Sequence, residues 1–440
     1  MQTLINKILI FEKQYNLFDF QFKNYSVWSY YRMYFYYSIA TDLGILDSSV
    51  SGFKKDFSYI LKILNIFNLK KLFEKKDIFV LEHPRSNKDG IDIYTEDIVN
   101  YLGKEKCSFF AFSNNGVVTK KNNVVILDIV KILSKIYSKV FFKVVKIDDA
   151  FDSFLSEFQK VDYFKYKIQY KRYYLELKFQ YYFYYLLLKF KRTKKVILVV
   201  SYYNMPLVFA AKNLGMEVIE MQHGVISQYH LGYHYPYYKT NFFPDKLYLF
   251  SDFWKESATY PKSNIETVGN SFLYTEKEKV LKEKDTILIV SQTTIADKLK
   301  AFLLYNIDKL DGYKIYFKLH PNEFNNYERN YQKLLEYENI SIVTKQYTIH
   351  ELQNFCEYQI GIYSTGIYEG IERQCKTLLL NDTGIEYMEQ ILKEKLAVLL
   401  NYEDNLKEQL KNAVEPLDIV FFKNFDLKVR NDFNCNSMQK

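Results

Sequence analysis

Short apolar runs alternate with helical segments through the second half of this chain, and few folds accommodate that alternation. The runs cover residues 286–291, 314–319, 340–344, 359–363 and Lys376–Leu380, and they are rich in Ile, Leu, Val and aromatic residues, as buried strands are. Helical patterns lie between them at Ala296–Asn306, 326–337 and 367–373. Strands that alternate with helices form a parallel sheet covered by helices on both faces. The second half is therefore predicted to be a Rossmann-like unit.

The first half carries the same pattern in a less regular form. Its predicted strands are residues 77–81, 107–113, 124–129, 196–201, Glu217–Met221 and 246–250, and residues 1–75 read as helices. A chain of 440 residues suits two domains. We therefore predict an α/β protein in which two Rossmann-like domains face a central cleft, with extra N-terminal helices. The predicted domains are residues 1–270, with a helical insertion at about 151–195, and residues 271–440, and the hinge is expected within 262–284.

Composition and missing motifs exclude several classes of protein. Hydrophobic residues make up 48% and charged residues 25% of the chain, which excludes a disordered or collagen-like protein. The net charge of +8 comes without any nucleic-acid-binding signature, so we expect no nucleic-acid partner. Four scattered cysteines indicate free thiols rather than a disulfide framework or a zinc site. The absence of a P-loop, a complete GxGxxG and a GxSxG elbow disfavours an NTPase or an NAD enzyme.

Location is predicted from the longest apolar stretches. None approaches the roughly 20 residues of a membrane span, and the apolar N-terminal stretch reads as an amphipathic helix rather than a signal peptide. We expect a cytoplasmic protein that can rest on the inner face of the plasma membrane. Residues 161–195 hold ten basic, two acidic and thirteen aromatic residues. This segment is either a core-packing helix with solvated lysines, which we favour, or a basic aromatic contact with a membrane surface.

Unusual polar residues follow five of the predicted strands. They are Glu82, His83, Pro84 and Arg85; Gln222, His223 and Gly224; Ser291 and Gln292; His320, Pro321, Asn322 and Glu323; and Ser364, Thr365 and Gly366. Ligands of open parallel sheets bind in the crevice beyond the carboxyl ends of the strands. The repeated placement of polar residues at strand ends therefore predicts an enzyme with its site in a cleft.

The second half offers groups that suit a phosphate. His320 would point into the cleft, Pro321 ends the strand, and Lys318 lies on the same face by strand alternation. Ser364, Thr365 and Gly366 precede a helix, whose free N–H groups and dipole attract anions. Glu369, in the first turn of that helix, suits ribose hydroxyls or complements the dipole. The simpler interpretations are a turn histidine and an N-cap hydroxyl.

The first half offers candidates for a general base. Asp89, which Gly90 follows, and His223 are the leading ones, and the simpler interpretation of each is a structural turn. His230 and His234 follow His223 closely, which leaves a metal site as an alternative. We expect no metal, because the spacing is not HExxH and no DxD triplet occurs in the chain. A metal-independent transfer would neutralise a leaving phosphate with histidine, lysine, hydroxyls and a helix dipole.

These residues resemble the GT-B glycosyltransferases of bacterial surface polysaccharides. The similarity covers about residues 77–400 and is greatest to capsule sialyl- and polysialyltransferases, Kdo transferases and teichoic-acid polyol-phosphate transferases. It implies that His320 with Pro321, and Ser364 with Thr365, hold the nucleotide phosphate of a donor. The related polysialyltransferases carry their base in an acidic-acidic-Gly motif. Here only Asp89 and Gly90 are comparable, with Lys88 in place of the first acid.

The resemblance implies a metal-independent glycosyltransferase that acts on a capsule or lipopolysaccharide acceptor. Its donor would be a nucleotide sugar, most simply CMP- or UDP-linked, bound without a further cofactor by the residues 271–440. Lys318, His320, Pro321, Ser364, Thr365, Gly366, Glu369, Ser291 and Gln292 would line the donor side, and Glu82, His83, Arg85, Gln222 and Gly224 the acceptor side, with Asp89 or His223 as the catalytic base. Three alternatives remain: a UDP-N-acetylhexosamine 2-epimerase, a polyol-phosphate transferase and a non-catalytic assembly partner with the same fold.

Overall fold

The computed structural model describes most of the chain. It covers residues 1–46, 69–83, 91–113, 124–144, 146, 149–159, 161–238, 241–261, 264–274, 281–417 and 419–426. Two of the sequence-predicted site residues, Arg85 and Asp89, lie outside these ranges, as do Pro84 and Gly90.

The chain begins with helices α1 (Gln2–Gln14) and α2 (Val27–Asp42), joined through a small hairpin of β1 (Gln21–Phe22) and β2 (Tyr25–Ser26). Ser26 caps α2 by accepting a hydrogen bond from the N–H of Ser29. Almost every side of α2 is buried, which explains its density of aromatic residues. The predicted N-terminal helices are therefore present, and they pack into the main hydrophobic core.

A buried ion pair joins these two helices. Arg32 donates from Nε to Oε1 of Glu12 over 2.6 Å and from Nη2 to Oε2 over 2.8 Å, and both side chains are 1% exposed. Nη1 of Arg32 also donates to the carbonyl oxygens of Leu231 and His234. The pair thereby ties the N-terminal helices to the loop that carries residues 231–234.

Replacing Glu12 by glutamine is expected to lower the free energy of unfolding by about 3–5 kcal/mol, because it leaves the Arg32 charge buried without a counter-charge. Urea denaturation followed by circular dichroism measures this change. The matched control is Asp77→Asn, which breaks the exposed pair with Lys194 and should cost less than about 1 kcal/mol. Equal losses in the two variants would contradict the expectation.

The first sheet forms the core of the first lobe and is parallel throughout. In the described residues its strands are β3 (Ile78–Leu81), β4 (Cys107–Ala111), β5 (Val124–Ile126), β6 (Lys195–Val199), β7 (Glu217–Met221), β8 (Lys246–Leu249) and β9 (Asn264–Thr267). They lie in the order β5-β4-β3-β6-β7-β8-β9. The chain therefore reverses its direction of growth between β3 and β6, which is the topological switch point of a Rossmann sheet.

The helices of the first lobe cover this sheet. They are α3 (Leu69–Leu72), α4 (Glu96–Leu102), α5 (Asp128–Val140), α6 (Asp149–Ser156), α7 (Tyr163–Lys191) and α8 (Met205–Asn213). The long helix expected within 161–195 is α7, which begins after an Asp162 cap and ends at Arg192 in the left-handed conformation. Tyr166, Tyr170 and Tyr184 are buried on it, so one side of α7 packs into the core.

The second sheet is also parallel and forms the core of the second lobe. Its strands and helices are β10 (Glu283–Val290), α9 (Ala296–Asn306), β11 (Lys314–Lys318), α10 (Tyr327–Asn330), α11 (Gln332–Leu335), β12 (Ile340–Val343), α12 (Ile349–Phe355), β13 (Cys356–Gly361), α13 (Thr365–Glu372), β14 (Lys376–Leu380), α14 (Glu389–Lys393), β15 (Val398–Leu400) and α15 (Leu406–Lys411). The strand order is β12-β11-β10-β13-β14-β15, with the switch point between β10 and β13. The predicted fold class is thus confirmed.

The last described residues return to the first lobe. Trp254 donates from Nε1 to the carbonyl oxygen of Phe421 over 2.9 Å, and the N–H of Lys423 donates to the carbonyl oxygen of Phe250 over 2.9 Å. The N–H of Asn270 donates to the carbonyl oxygen of Lys423 over 2.8 Å. These bonds link the end of the second lobe to the first, while the boundary between residues 270 and 271 stays a prediction.

Two predicted segments differ from the structure. The single helix expected over residues 326–337 is instead two short helices, α10 and α11, because Tyr331 turns inward between them and is buried. Residues 262–284 showed no regular pattern at their start, yet Asn264–Thr267 forms β9 beside β8. β9 has no fully buried residue, so it lacks the apolar run by which a strand is recognised in a sequence.

No helix in the described part of the chain combines the length and the apolar character that a bilayer-spanning segment needs.

Candidate active site in the cleft between the lobes

The carboxyl ends of both sheets open onto one cavity of about 900 Å³. Its lining includes the segments that follow β3, β4, β6, β7, β10, β11 and β13. The two switch points therefore contribute to the same space, as expected for ligand sites of open α/β sheets.

Most of the sequence-predicted site residues meet in this cavity. Its lining includes Glu82, His83, His223, Gly224, Ser291, Gln292, Lys318, His320, Pro321, Ser364, Thr365, Gly366 and Glu369. The lobes approach each other within it, since a Cβ atom built on Gly224 would lie 3.6 Å from Oγ1 of Thr365. Donor-side and acceptor-side candidates thus face a common volume.

Gln222 does not line the cavity, because its side chain is used to hold the main chain. It is 1% exposed, accepts at Oε1 from the N–H of Phe250 over 2.9 Å and donates from Nε2 to the carbonyl oxygen of Gly224 over 2.9 Å. These bonds fix the loop after β7 to the end of β8. Both ends of the Gln222 amide are thus used by the fold, and the acceptor contact predicted for it stays a prediction.

The N-terminus of α13 faces the cavity with two hydroxyl groups. Ser364 caps the helix, and its Oγ accepts from the N–H of Gly366 over 3.2 Å. Thr365 is the first helical residue. A Cβ atom on Gly366 would come within 2.8 Å of Cδ1 of Ile349, so glycine lets α13 lie close to α12. The helix start carries a partial positive charge and N–H groups suited to an anion.

His320 lies on a loop that is held in place by Glu323. The N–H of His320 donates to Oε2 of Glu323 over 2.8 Å, and the hydroxyls of Ser291 and Tyr331 donate to Oε1 over 3.1 and 2.6 Å. Glu323 is buried and thus joins the loop after β10 to the loop after β11. The hydroxyl predicted to contact a nucleotide, that of Ser291, takes part in this support.

The ammonium group of Lys318 is bound to main-chain carbonyl oxygens. Its Nζ donates to Thr344 and, over 2.7 Å, to Tyr347. Lys318 lines the cavity, so its charge contributes to the local potential, while its donors hold the end of β12.

Glu369 pairs with a histidine that the sequence analysis did not single out. Its Oε2 lies 2.5 Å from Nε2 of His350, a residue of α12. Glu369 is 7% exposed and lines the cavity. The carboxylate is thereby oriented by its neighbour. Because the helix begins at Thr365, Glu369 is its fifth residue and does not lie in the first turn, where the sequence analysis placed it.

His223 lies on the first-lobe side, against a chain of two further polar groups. Its Nδ1 is 3.4 Å from Oη of Tyr233, and that hydroxyl donates to Oε1 of Glu220 over 2.8 Å. Glu220 is fully buried and also accepts from the N–H of Ser201 over 2.9 Å. Burial raises the pKa of Glu220 to about 7. A carboxyl group connected to a cavity histidine in this way can set its tautomer and orientation.

His83 lies beside His223, on a loop organised by Asp92. The two imidazole rings stack with centroids 5.8 Å apart. The N–H of His83 donates to Oδ2 of Asp92 over 2.9 Å, and the Thr95 hydroxyl donates to the same oxygen over 2.8 Å. Asp92 is 1% exposed, and burial raises its pKa to about 6. Asp92 therefore supports the loop rather than the chemistry.

His230 and His234 have structural surroundings. Nδ1 of His230 accepts from the N–H of Gly232 over 3.1 Å, and Nδ1 of His234 accepts from the N–H of Thr259 over 3.0 Å. Burial lowers the pKa of each to about 4. Among the described residues, no three His, Cys, Asp or Glu side chains come together as a metal-binding group.

Glu220 is expected to make stability depend on pH. Its folded-state pKa of about 7 exceeds the value of an exposed glutamate, so its stabilising contribution is full below about pH 4.5 and is lost as the pH rises through 7. Because Glu220→Gln does not titrate, the free energy of unfolding of the wild type, relative to this variant, should fall by about 2.5 kcal/mol from pH 5 to 8. Urea titrations at four pH values test this, and a constant difference would contradict it.

Comparison of the chain with family models and with curated proteins finds no match. Similar solved structures include MurG of Acinetobacter baumannii, with 11% identity, 77% of this chain and 91% of that chain covered, and a TM-score of 0.44. A UDP-GlcNAc 2-epimerase from Neisseria meningitidis bound to UDP-GlcNAc has 11% identity, coverages of 76% and 90%, and a TM-score of 0.44. A glycosyltransferase from Rickettsia africae has 15% identity, coverages of 77% and 88%, and a TM-score of 0.42.

Proposed function

We propose that this protein is a glycosyltransferase that moves a sugar from a nucleotide-activated donor to an acceptor hydroxyl in the cleft. One observation carries the proposal: a single cavity has an anion-binding helix start on one wall and an oriented histidine on the opposite wall. Transfer from a phosphate leaving group to a hydroxyl needs both of these groups at once.

The donor phosphate would bind against the second lobe. The N–H groups at the start of α13, the hydroxyls of Ser364 and Thr365 and the imidazole of His320 are the groups that would surround it. Glu369 lies farther along the same helix and would accept hydrogen bonds from ribose hydroxyls. The role of each residue follows from its chemistry and from its position on the cavity wall.

The reaction would exchange one carbon–oxygen bond for another. The acceptor oxygen forms a bond to the anomeric carbon and its proton passes to His223. The bond between the anomeric carbon and the phosphate oxygen breaks, and the electron pair remains on the nucleotide phosphate. The growing negative charge is stabilised by the α13 N-terminus, by Ser364 and Thr365, and by His320.

The more specific parts of the function are proposals that rest on the resemblance described above. The acceptor would be a capsule or lipopolysaccharide chain, and the donor would be linked to CMP or UDP. Residues 1–270 would bind the acceptor and residues 271–440 the donor, and the transfer would need no metal. The protein would be located in the cytoplasm. Membrane contact through 161–195 also stays a prediction. Glu82 and His83 line the first-lobe wall and are our candidates for acceptor contacts.

Calorimetric titration of the protein with CMP, UDP and GDP tests the proposal. In a second experiment the protein is incubated with a nucleotide sugar that carries each of these nucleotides, and the products are analysed. We expect binding of one nucleotide at micromolar concentrations and release of that nucleotide when an acceptor glycan is added. Conversion of the sugar without an acceptor would instead indicate an epimerase. Binding of none of the three nucleotides would contradict the proposal.

A further inference from the structure

Helix α5 turns its apolar side toward solvent. Leu133, Ile136 and Val140 are 42%, 53% and 68% exposed, whereas Ser134 and Ser138, on the opposite side, are at most 1% exposed. Helices on the surface of a soluble protein normally bury the apolar side and expose the polar one. The reversed orientation of α5 is therefore costly in water, and it indicates a partner for the exposed side.

The buried serines show that this orientation is specific. Nε2 of Gln180, on α7, donates to Oγ of Ser134 over 3.1 Å, while Oγ of Ser138 donates within α5 to the carbonyl oxygen of Lys135 over 2.9 Å. The buried serines of α5 thus lie on the side of the helix that faces α7. Rotating α5 to bury its apolar side would break the bond from Gln180, so the exposed apolar row is part of the packed structure.

The exposed charged residues that α5 and the turn after it carry beside the apolar row are lysines, and one of them, Lys135, lies near Glu176 of α7. Lys135, Lys139 and Lys143 are exposed, and the only acidic residue in the sequence from 128 to 144 is Asp128, which is buried. We call Leu133, Ile136 and Val140 together with these three lysines the α5 face. Apolar side chains flanked by lysines are typical of helices that lie in the surface of an anionic membrane.

We propose that the α5 face docks onto an anionic lipid surface. The apolar side chains would enter the boundary between headgroups and acyl chains, while the lysines bind lipid phosphates. A second copy of the chain is a poorer partner, because a two-fold interface would bring the lysines of the two copies together. The proposal stands on this surface alone, whatever reaction the cleft performs.

The placement of α5 also suggests why such docking is useful. Lys131, on the same helix, lines the cavity, and because two residues turn an α-helix through about 200°, it lies across a helix about 10 Å thick from Leu133. Docking would therefore hold the cavity about one helix diameter from the lipid headgroups. If the proposed function is right, this position suits an acceptor carried on a lipid.

Vesicle flotation compares the full chain on phosphatidylcholine vesicles and on vesicles with 30% phosphatidylglycerol. We expect the wild type to float with the anionic vesicles, and Ile136→Glu combined with Val140→Glu to lower the partition coefficient at least about tenfold. Changing the three lysines of the α5 face to glutamine should lower it by about fivefold per lysine at low salt.

Matched variants on the second lobe serve as controls. Tyr305→Glu with Leu335→Glu places the same charges on exposed apolar residues elsewhere, and Lys309, Lys333 and Lys407 changed to glutamine remove as many exposed lysines. Both controls should float like the wild type. Equal flotation of the α5 variants and the wild type would overturn the proposal. So would a dimer, measured by light scattering, that dissociates in Ile136→Glu.

A tryptophan reporter gives a second readout that does not depend on loss of binding. Ile136→Trp should show a blue-shifted emission with anionic vesicles and quenching by brominated lipids, while Leu335→Trp should show neither. Both native tryptophans, Trp28 and Trp254, are buried and give a constant background. Absence of quenching in Ile136→Trp would overturn the proposal, whether the α5 face stays in water or is covered by another segment of the chain.

Discussion

Replacing His223 by alanine is expected to slow turnover by about 10²–10⁴-fold, the usual contribution of a general base. The expectation rests on the position of its ring on the first-lobe wall, with Nδ1 beside the Tyr233 hydroxyl. If that hydroxyl donates to Glu220 and accepts from Nδ1, Nε2 is the ring nitrogen that receives the acceptor proton. Affinity for the nucleotide should stay unchanged, because its proposed binding groups lie on the second lobe.

Measurement of kcat and of the nucleotide dissociation constant in the same preparation separates the two effects. Tyr233→Phe keeps the ring but removes the link to Glu220, and should reduce kcat by about tenfold and move the pH profile of the reaction. Tyr237→Ala, an exposed change in the same region, is the control and should be neutral. Full turnover by His223→Ala would remove His223 as the base and would direct attention to Asp89.

Replacing His320 by alanine is expected to weaken nucleotide binding by about 10–100-fold, which corresponds to the roughly 1.5–3 kcal/mol of a hydrogen bond to a charged group. The imidazole lies on the cavity wall, and its main chain is held by Glu323. The substitution leaves that main-chain bond intact, so the loop should keep its conformation. The loss should therefore report on the phosphate contact itself.

Calorimetry with the preferred nucleotide and with the corresponding nucleoside checks this result. Only the nucleotide should bind more weakly to His320→Ala, because the nucleoside has no phosphate. Lys345→Ala removes an exposed positive charge on the same lobe and controls for general electrostatic attraction. An unchanged nucleotide affinity in His320→Ala would contradict the proposed donor site.

Much of the cleft follows from the sequence because parallel strands place their carboxyl ends on one edge. Polar residues directly after apolar runs were therefore expected to converge, and those from five strand ends do line one cavity. Glu220 and Tyr233 were missed for different reasons. Glu220 lies inside the strand β7, where a buried acid is easily read as an interruption, and Tyr233 is one of 42 tyrosines in the chain.

The role of each polar side chain could not be predicted from the sequence in the same way. Gln222, Ser291 and Lys318 follow or end strands just as His320 does, yet their side chains bond to Phe250, Glu323 and Tyr347. Those partners come from other loops. A sequence motif indicates which groups lie near a strand end. It does not indicate which of those side chains already form hydrogen bonds to other loops.

The sequence by itself determined the alternation of strands and helices, the two parallel sheets and the edge at which their polar residues gather, because local periodicity and chain direction suffice for these. Only the tertiary structure decided that Gly224 meets Thr365, that Glu220 reaches His223 through Tyr233, and that α5 buries its serines. The first and the third depend on contacts between segments far apart in the chain, and the second depends on how the loop after β7 folds back on its own strand. Side-chain hydrogen bonds and exposure arise only when such segments pack together.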